Sequence, residues 1–350
     1  MSFGWAGVDL FFVLSGFLIT GILLDTRQAR NRGVSFYGRR ALRILPLYYA
    51  LVFGCIVIAL VLRNSWSIRD HWPDTMGWLS YICYLENWWM PLKEFARSRP
   101  LGHFWSLAVE EQFYLLWPMC VWLMPRRYLA PMCGFGCVCA LLLRWMLSHY
   151  GVSGWFIYEN TFTRMDPLLM GAFCAIAIRD AQLLLLVRRL LPFVGFGAFG
   201  AFASLAFLLR KSEGYDYWLH IFGFSLLACV GAVFVLGAYL CQGTNSFAER
   251  SLRSRILKSF GKYSYGIYVY QSLVQAFVIY AFASRRWWGH SVKYAAVVAA
   301  FRLLLSFLTA FVSFHLFESK FQRLKSHFTP ETYRSTQTEP VAGIGKAVTR

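Results

Sequence analysis

Long apolar stretches set the pattern of this chain. Nine of them, at about 3–24, 44–62, 104–124, 128–147, 158–178, 190–209, 218–240, 263–283 and 292–317, are separated by short polar, mostly basic connections. A helix rising about 1.5 Å per residue needs roughly 20 apolar residues to cross a hydrocarbon layer about 30 Å thick, so each stretch is long enough to span. The pattern therefore predicts an all-α, polytopic transmembrane bundle of about nine spanning helices. A tenth stretch, 75–92, carries Glu86, Asn87 and the aromatic residues Trp78, Tyr81, Tyr84, Trp88 and Trp89. That mixture predicts an interfacial or re-entrant piece.

Loop charge gives the expected orientation. If 75–92 stays on one side, one set of alternate loops holds 22 basic residues and the other set ten. Positive loops favour the cytoplasm, which puts the carboxyl terminus inside and the amino terminus outside. Residues 1–325 then form the membrane domain, and the Pro-, Gly- and Thr-containing stretch 326–350 is expected to be a disordered cytoplasmic tail. An amino terminus only a few residues before an outward-starting span suggests that another helix belongs upstream.

Composition agrees with lipid as the solvent, because 58% of residues are apolar and 15% charged. The net charge of +18 lies in separate loops and forms no continuous stripe, which argues against nucleic acid. Of nine cysteines, Cys133, Cys137 and Cys139 fall in one apolar run; none is spaced for zinc, and packing is the expected role. Gly195, Gly197 and Gly200 spell a dinucleotide fingerprint. They sit inside an apolar run with no βαβ unit, so close helix packing is expected instead.

Ionisable residues inside spans change the picture more, since each costs about 2.5–3.5 kcal/mol at a helix centre on insertion scales. The chain keeps Asp9, Glu110, Glu111, Arg144, Arg164, Asp166 and Arg302 there. Arg164 and Asp166 are two residues apart, about 200° round a helix, so each needs a partner on another helix. In Gly102–Pro118, one helical face carries His103, Ser106 and Glu110, with Glu111 turned about 80° from His103. An imidazole and a carboxylate at the outer mouth of a helix suit general-base work on a hydroxyl; a helix cap around Ser106 is the structural alternative. Arg39, Arg40 and Arg43 precede the second span. Arg40 and Arg43 share a helical face that could grip a polyphosphate or simply anchor the helix at an anionic lipid surface.

Five segments in order, GWAGVDLFFVLSGFLIT (4–20), RRALRILPLYY (39–49), HFWSLAVEEQFYLLWP (103–118), TRMDPLLMGA (163–172) and GKYSYGIYVYQSL (261–273), resemble the acyltransferase 3 family of membrane O-acyltransferases. The resemblance implies O-acylation, most simply O-acetylation, of lipopolysaccharide, exopolysaccharide or a related glycan or lipid-linked glycan at a bacterial inner membrane. It implies acyl-CoA, most simply acetyl-CoA, as a donor substrate held by Arg40 and Arg43 beside Arg39, with no resident cofactor or metal. His103, Ser106 and Glu110 become the outer catalytic motif. Two departures stand out: the family usually opens with a further helix bearing a His base, and Gln271 stands where a His is frequent. The rival expectation is a chain that binds or translocates acyl-CoA or a lipid-linked sugar without turning it over.

Overall fold

The computed structural model describes residues 6–62, 72–92, 101–208, 217–283 and 292–331. Helices α1 (Ala6–Asp25) and α2 (Arg32–Val61) are followed by two short helices, α3 (Thr75–Ile82) and α4 (Glu86–Leu92). A 3-10 turn, Gly102–Phe104, leads into α5 (Trp105–Leu123), then α6 (Arg126–His149), α7 (Gly154–Glu159), α8 (Met165–Ala177) and α9 (Ala181–Leu208). A π turn, Leu219–Gly223, opens α10 (Phe224–Leu240), and α11 (Phe247–Leu252), α12 (Arg255–Ala283) and α13 (Val292–Ser313) follow. The described chain ends through a π turn, Phe314–Glu318, α14 (Ser319–Arg323) and a 3-10 turn, Leu324–Phe328. No strand occurs among the described residues, and six of their helices are long and apolar enough to cross a bilayer. The fold is an all-α polytopic membrane bundle.

Backbone polar groups in lipid must be satisfied within the segment, which is why each apolar run becomes helix. On α1, Leu10, Leu14, Leu18 and Ile22 recur every fourth residue and are exposed, forming a lipid-facing stripe. Its other side, through Phe12, Ile19 and Leu23, packs into a core with Val109, Phe113 and Trp117 of α5 and Leu168 and Ala172 of α8. Backbones touch where α1 crosses α8. A Cβ on Gly16 would lie 1.9 Å from the Leu168 carbonyl oxygen, and one on Gly171 1.9 Å from that of Val13. Small residues allow this approach, and no side-chain adjustment could relieve a clash with backbone.

The 75–92 stretch divides at Cys83–Leu85 into helices of eight and seven residues, each too short to span. The expected helix 158–178 is also broken. Asn160 accepts from Phe162 N at 3.0 Å, while Thr163 Oγ1 donates to the Ile157 and Asn160 carbonyls at 2.6 and 2.8 Å, closing local turns in place of a helix. Only the 13 residues of α8 continue. Asn160, Thr161 and Thr163 at the break are buried in protein, the setting in which irregular backbone is tolerated within a membrane, while Phe162 is exposed.

That break delivers Arg164 and Asp166 to opposite partners, as their spacing requires. Asp166 meets Arg144 of α6 through two contacts of 2.9 Å and accepts from Ser225 Oγ at 2.7 Å; Arg144 Nε donates to Ile221 O, in the π turn, at 3.1 Å. Arg164 pairs with Asp9 of α1 at 2.9 Å, and its guanidinium stands 3.8 Å from the centre of the Phe224 ring. All four ionic side chains are fully buried. Arg302 hydrogen-bonds Gln275 across α12 and α13. Cys133 is buried, whereas Cys139 is exposed, and Gly195 lies close to Val233 while Gly197 and Gly200 touch nothing across a helix interface.

One end of the bundle gathers Asp25 with Arg179, Arg27 with Met124 O, and Asn31 with Thr329 O. Residues 326–331, expected in the tail, dock here: Ser35 Oγ donates to Phe328 O at 2.7 Å, and Glu331 N to Asn31 Oδ1 at 3.0 Å. The rest of the tail, 332–350, lies outside the described residues, as do residues 1–5.

Candidate active site

Helix α5 carries the site along one side. At its mouth, the 3-10 turn sets His103 with its Nδ1 2.8 Å from Ser272 Oγ of α12. His103 Nε2 is buried and has no hydrogen-bond partner among the described residues. Tyr268 of α12 donates to the His103 carbonyl at 2.5 Å and shares a hydrogen bond with Ser106 Oγ. The imidazole lies edge-on to Tyr268, and Phe11 of α1 stacks on the far side of that tyrosine.

One turn deeper, Glu110 accepts from Tyr114 OH, which also contacts Ser15 Oγ of α1. Arg40 of α2 lies flat against Tyr114, its guanidinium carbon 3.5 Å from the ring centre. Arg40 and Arg43 both act electrostatically on Glu110, and Arg40 acts on Glu111 as well. The result is a polar column of His103, Ser106, Tyr268, Glu110, Tyr114 and Arg40 within the bundle. Glu110 follows His103 by seven residues, through the 3-10 turn and the first turns of α5, a rise of about 10 Å.

The three residues of the expected outer motif do share this column, but they do not form a base and its orienting acid. His103 is oriented by Ser272, and the Glu110 carboxylate is turned to Tyr114 and the arginines. Ser106 caps nothing at the start of α5; its hydroxyl is taken by Tyr268. Arg39 is exposed on α2, next to Arg40. Gln271 is exposed on α12, while its neighbour Ser272 meets the imidazole. Sequence reading passed over Tyr268, Ser272, Tyr114 and Ser15, although each lies in one of the five quoted segments. Tyr265, Tyr268 and Ser272 recur at three and four residues, the spacing of one helical face, which is the signal that could have found them.

Beside the column, a second polar cluster ties the short helices together. Gln112 donates to Tyr84 O at 2.7 Å and Asn87 Oδ1 at 2.9 Å; Asn87 donates to Thr161 Oγ1 at 2.8 Å. Glu86, fully enclosed, accepts from Tyr48 OH at 3.2 Å. No group of three or more His, Cys, Asp or Glu among the described residues could hold a metal ion.

Residues 2–316 match the acyltransferase 3 family model, described as an acyltransferase domain. The chain belongs to this acyltransferase family. Among family relatives, the Bacillus subtilis protein named "Putative peptidoglycan O-acetyltransferase YrhL" is 31% identical over 292 residues, covering 77% of this chain and 45% of that protein. Peptidoglycan O-acetyltransferase OatA of Listeria monocytogenes is 30% identical over 294 residues, covering 77% of this chain and 45% of OatA. The chain thus spans about half the length of the curated relatives it matches. No solved structure matches it.

Proposed function

We propose that this chain transfers an acetyl group from acyl-CoA, with acetyl-CoA the simplest donor, to a hydroxyl of an exported or cell-surface glycan. The polar column carries this reading. Carboxylate, hydroxyls, imidazole and guanidinium are costly in a membrane interior, and a ligand that enters at one end and reacts at the other gives them a use. Arg40 and Arg43, with Arg39 beside them, suit the phosphates of a nucleotide donor, because guanidinium binds phosphate bidentately. His103 suits the acceptor end. With Ser272 Oγ accepting from Nδ1–H, the unpartnered Nε2 holds the lone pair that takes the acceptor's proton.

The acceptor oxygen then forms a bond to the thioester carbonyl carbon, the C–S bond breaks, and CoA leaves as the thiolate. Ser106 and Tyr268 carry further hydroxyls beside His103, and on turning from their present partners they would stabilise the developing oxyanion. The names of the relatives support peptidoglycan as the acceptor class, ahead of lipopolysaccharide. The reading places the protein in the bacterial cytoplasmic membrane, with the arginine end and the carboxyl terminus in the cytoplasm and the acceptor on the far side.

Two measurements test it. Reporter fusions after Arg43 and after Arg255 should both read cytoplasm, and one after Gly151 the far side; a reversed pattern would take the arginines away from cytoplasmic CoA. Replacing Arg40→Ala together with Arg43→Ala should weaken acetyl-CoA binding at least tenfold, since one charge-assisted contact is worth about 1.5–3 kcal/mol. Unchanged affinity in a correctly inserted double variant would leave the arginines an anchoring role only.

A further inference from the structure

We propose that Lys325, carried on the C-terminal 3-10 turn, is a fourth cation of the donor site and makes it selective for a donor with several phosphate groups. The proposal rests on the acyl-CoA reading above and adds a residue and a specificity to it. The turn that carries Lys325 docks on the start of α2 at Ser35 and Gly38, next to Arg39 and Arg40, and Arg43, Arg39 and Arg40 act electrostatically on Lys325. Its Nζ donates to Gln322 Oε1 at 3.3 Å, a neutral partner three residues back in the chain. None of these four cations belongs to an ion pair found among the described residues. Arg40 Nε is buried without a hydrogen-bond partner.

Four like charges brought together repel one another, so something must hold them there. The turn is fixed by specific contacts. Ser35 and Asn31 donate to the carbonyls of Phe328 and Thr329 at 2.7 and 3.0 Å, and Asn31 Oδ1 accepts from Glu331 N. The Phe328 ring sits against Gly38, where a Cβ would approach within 2.3 Å of it. In a 3-10 turn, residues three apart share an edge, which puts Lys325 on the same edge of the turn as Phe328, the residue that meets Gly38 of α2. The carboxylates Glu110, Glu111 and Glu318 interact with Arg40 or Arg43. Lys325 has no ion-pair partner among the described residues.

The missing counter-charge is then an incoming phosphate. Coenzyme A carries a diphosphate bridge and a 3′-phosphate monoester, about four negative charges at neutral pH, so one phosphate group can meet Lys325 while another meets the arginines. An anionic lipid headgroup shares the phosphate chemistry but brings one charge, and the test separates the two sources.

The full chain in nanodiscs is titrated with acetyl-CoA, 3′-dephospho-acetyl-CoA and S-acetylpantetheine, in phosphatidylcholine alone and with phosphatidylglycerol added. Lys325→Gln should weaken acetyl-CoA binding about five- to tenfold, leave S-acetylpantetheine unchanged and flatten the salt dependence of binding. Lys325→Arg should restore most of the loss. A smaller loss for 3′-dephospho-acetyl-CoA would assign Lys325 to the 3′-phosphate, and an equal loss to the diphosphate; either supports the proposal. Wild-type affinity for acetyl-CoA in K325Q overturns it, as does a K325Q effect confined to phosphatidylglycerol discs. Failure of the wild-type chain to bind acetyl-CoA at all would sink the donor reading itself.

Discussion

Asp166→Asn should lower the stability of the membrane domain by about 3–5 kcal/mol, the cost typical of leaving one member of a buried ion pair unpaired. Arg144 would keep its charge with no counter-ion at a site fully closed to solvent. Against total stabilities of about 5–15 kcal/mol, that loss should be plain as a fall in thermal midpoint or in the yield of monodisperse protein in detergent. Arg144→Met combined with Asp166→Leu should recover most of it, because two apolar side chains remove both desolvation costs. Arg302→Gln is the control: its partner is the neutral Gln275, so a much smaller effect is expected. If the double variant were no more stable than Asp166→Asn alone, the pair would be needed for something other than mutual neutralisation.

The ionic pairs show how far the sequence could be read. That Arg164 and Asp166 could not serve each other followed from two residues of spacing and the helical repeat. Which helices would answer them did not. Asp9 and Arg144 are far away in the chain, and they come into reach because Asn160 and Thr163 break the helix, a local competition that an apolar span conceals. The π turn that offers Ile221 O to Arg144 leaves no mark in the hydrophobic pattern. The 75–92 stretch was read as a single interfacial or re-entrant piece from Glu86, Asn87 and its aromatic residues, and its division at Cys83–Leu85 into two short helices was not legible.

The candidate site was legible in its residue types and less so in its pairings. Helical periodicity put His103, Ser106 and Glu110 on one face, and they do line one column. Periodicity within a single helix says nothing about what stands opposite. Tyr268 and Ser272 come from α12, more than 160 residues along the chain from their partners. The docking of Phe328 on Gly38 was hidden for a similar reason: a polar, Pro-containing tail reads as disorder until the notch that receives one aromatic ring is seen.

His103→Gln should reduce acetyl transfer by about 10²–10⁴ while leaving acetyl-CoA affinity within a factor of two, the signature of lost general-base assistance. The expectation comes from geometry: among the described residues Nε2 has no partner, Nδ1 is held by Ser272, and Glu110, which faces the donor-side arginines, stands about 10 Å along the helix from His103. Glu110→Gln should behave differently. Its carboxylate faces Tyr114, Arg40 and Arg43, so its loss should change donor affinity and leave the pH dependence of turnover in place. Ser272→Ala should act through the imidazole, lowering kcat and shifting the pH profile with little change in KM, because the ring would lose the contact that fixes its tautomer. The three variants together separate the rival functions. A chain that binds acetyl-CoA, shows no turnover, and binds it equally well in all three variants would be a binding or translocating protein. A chain whose transfer survives His103→Gln at full rate would take its base from elsewhere, and the column would be left as a passage for the donor.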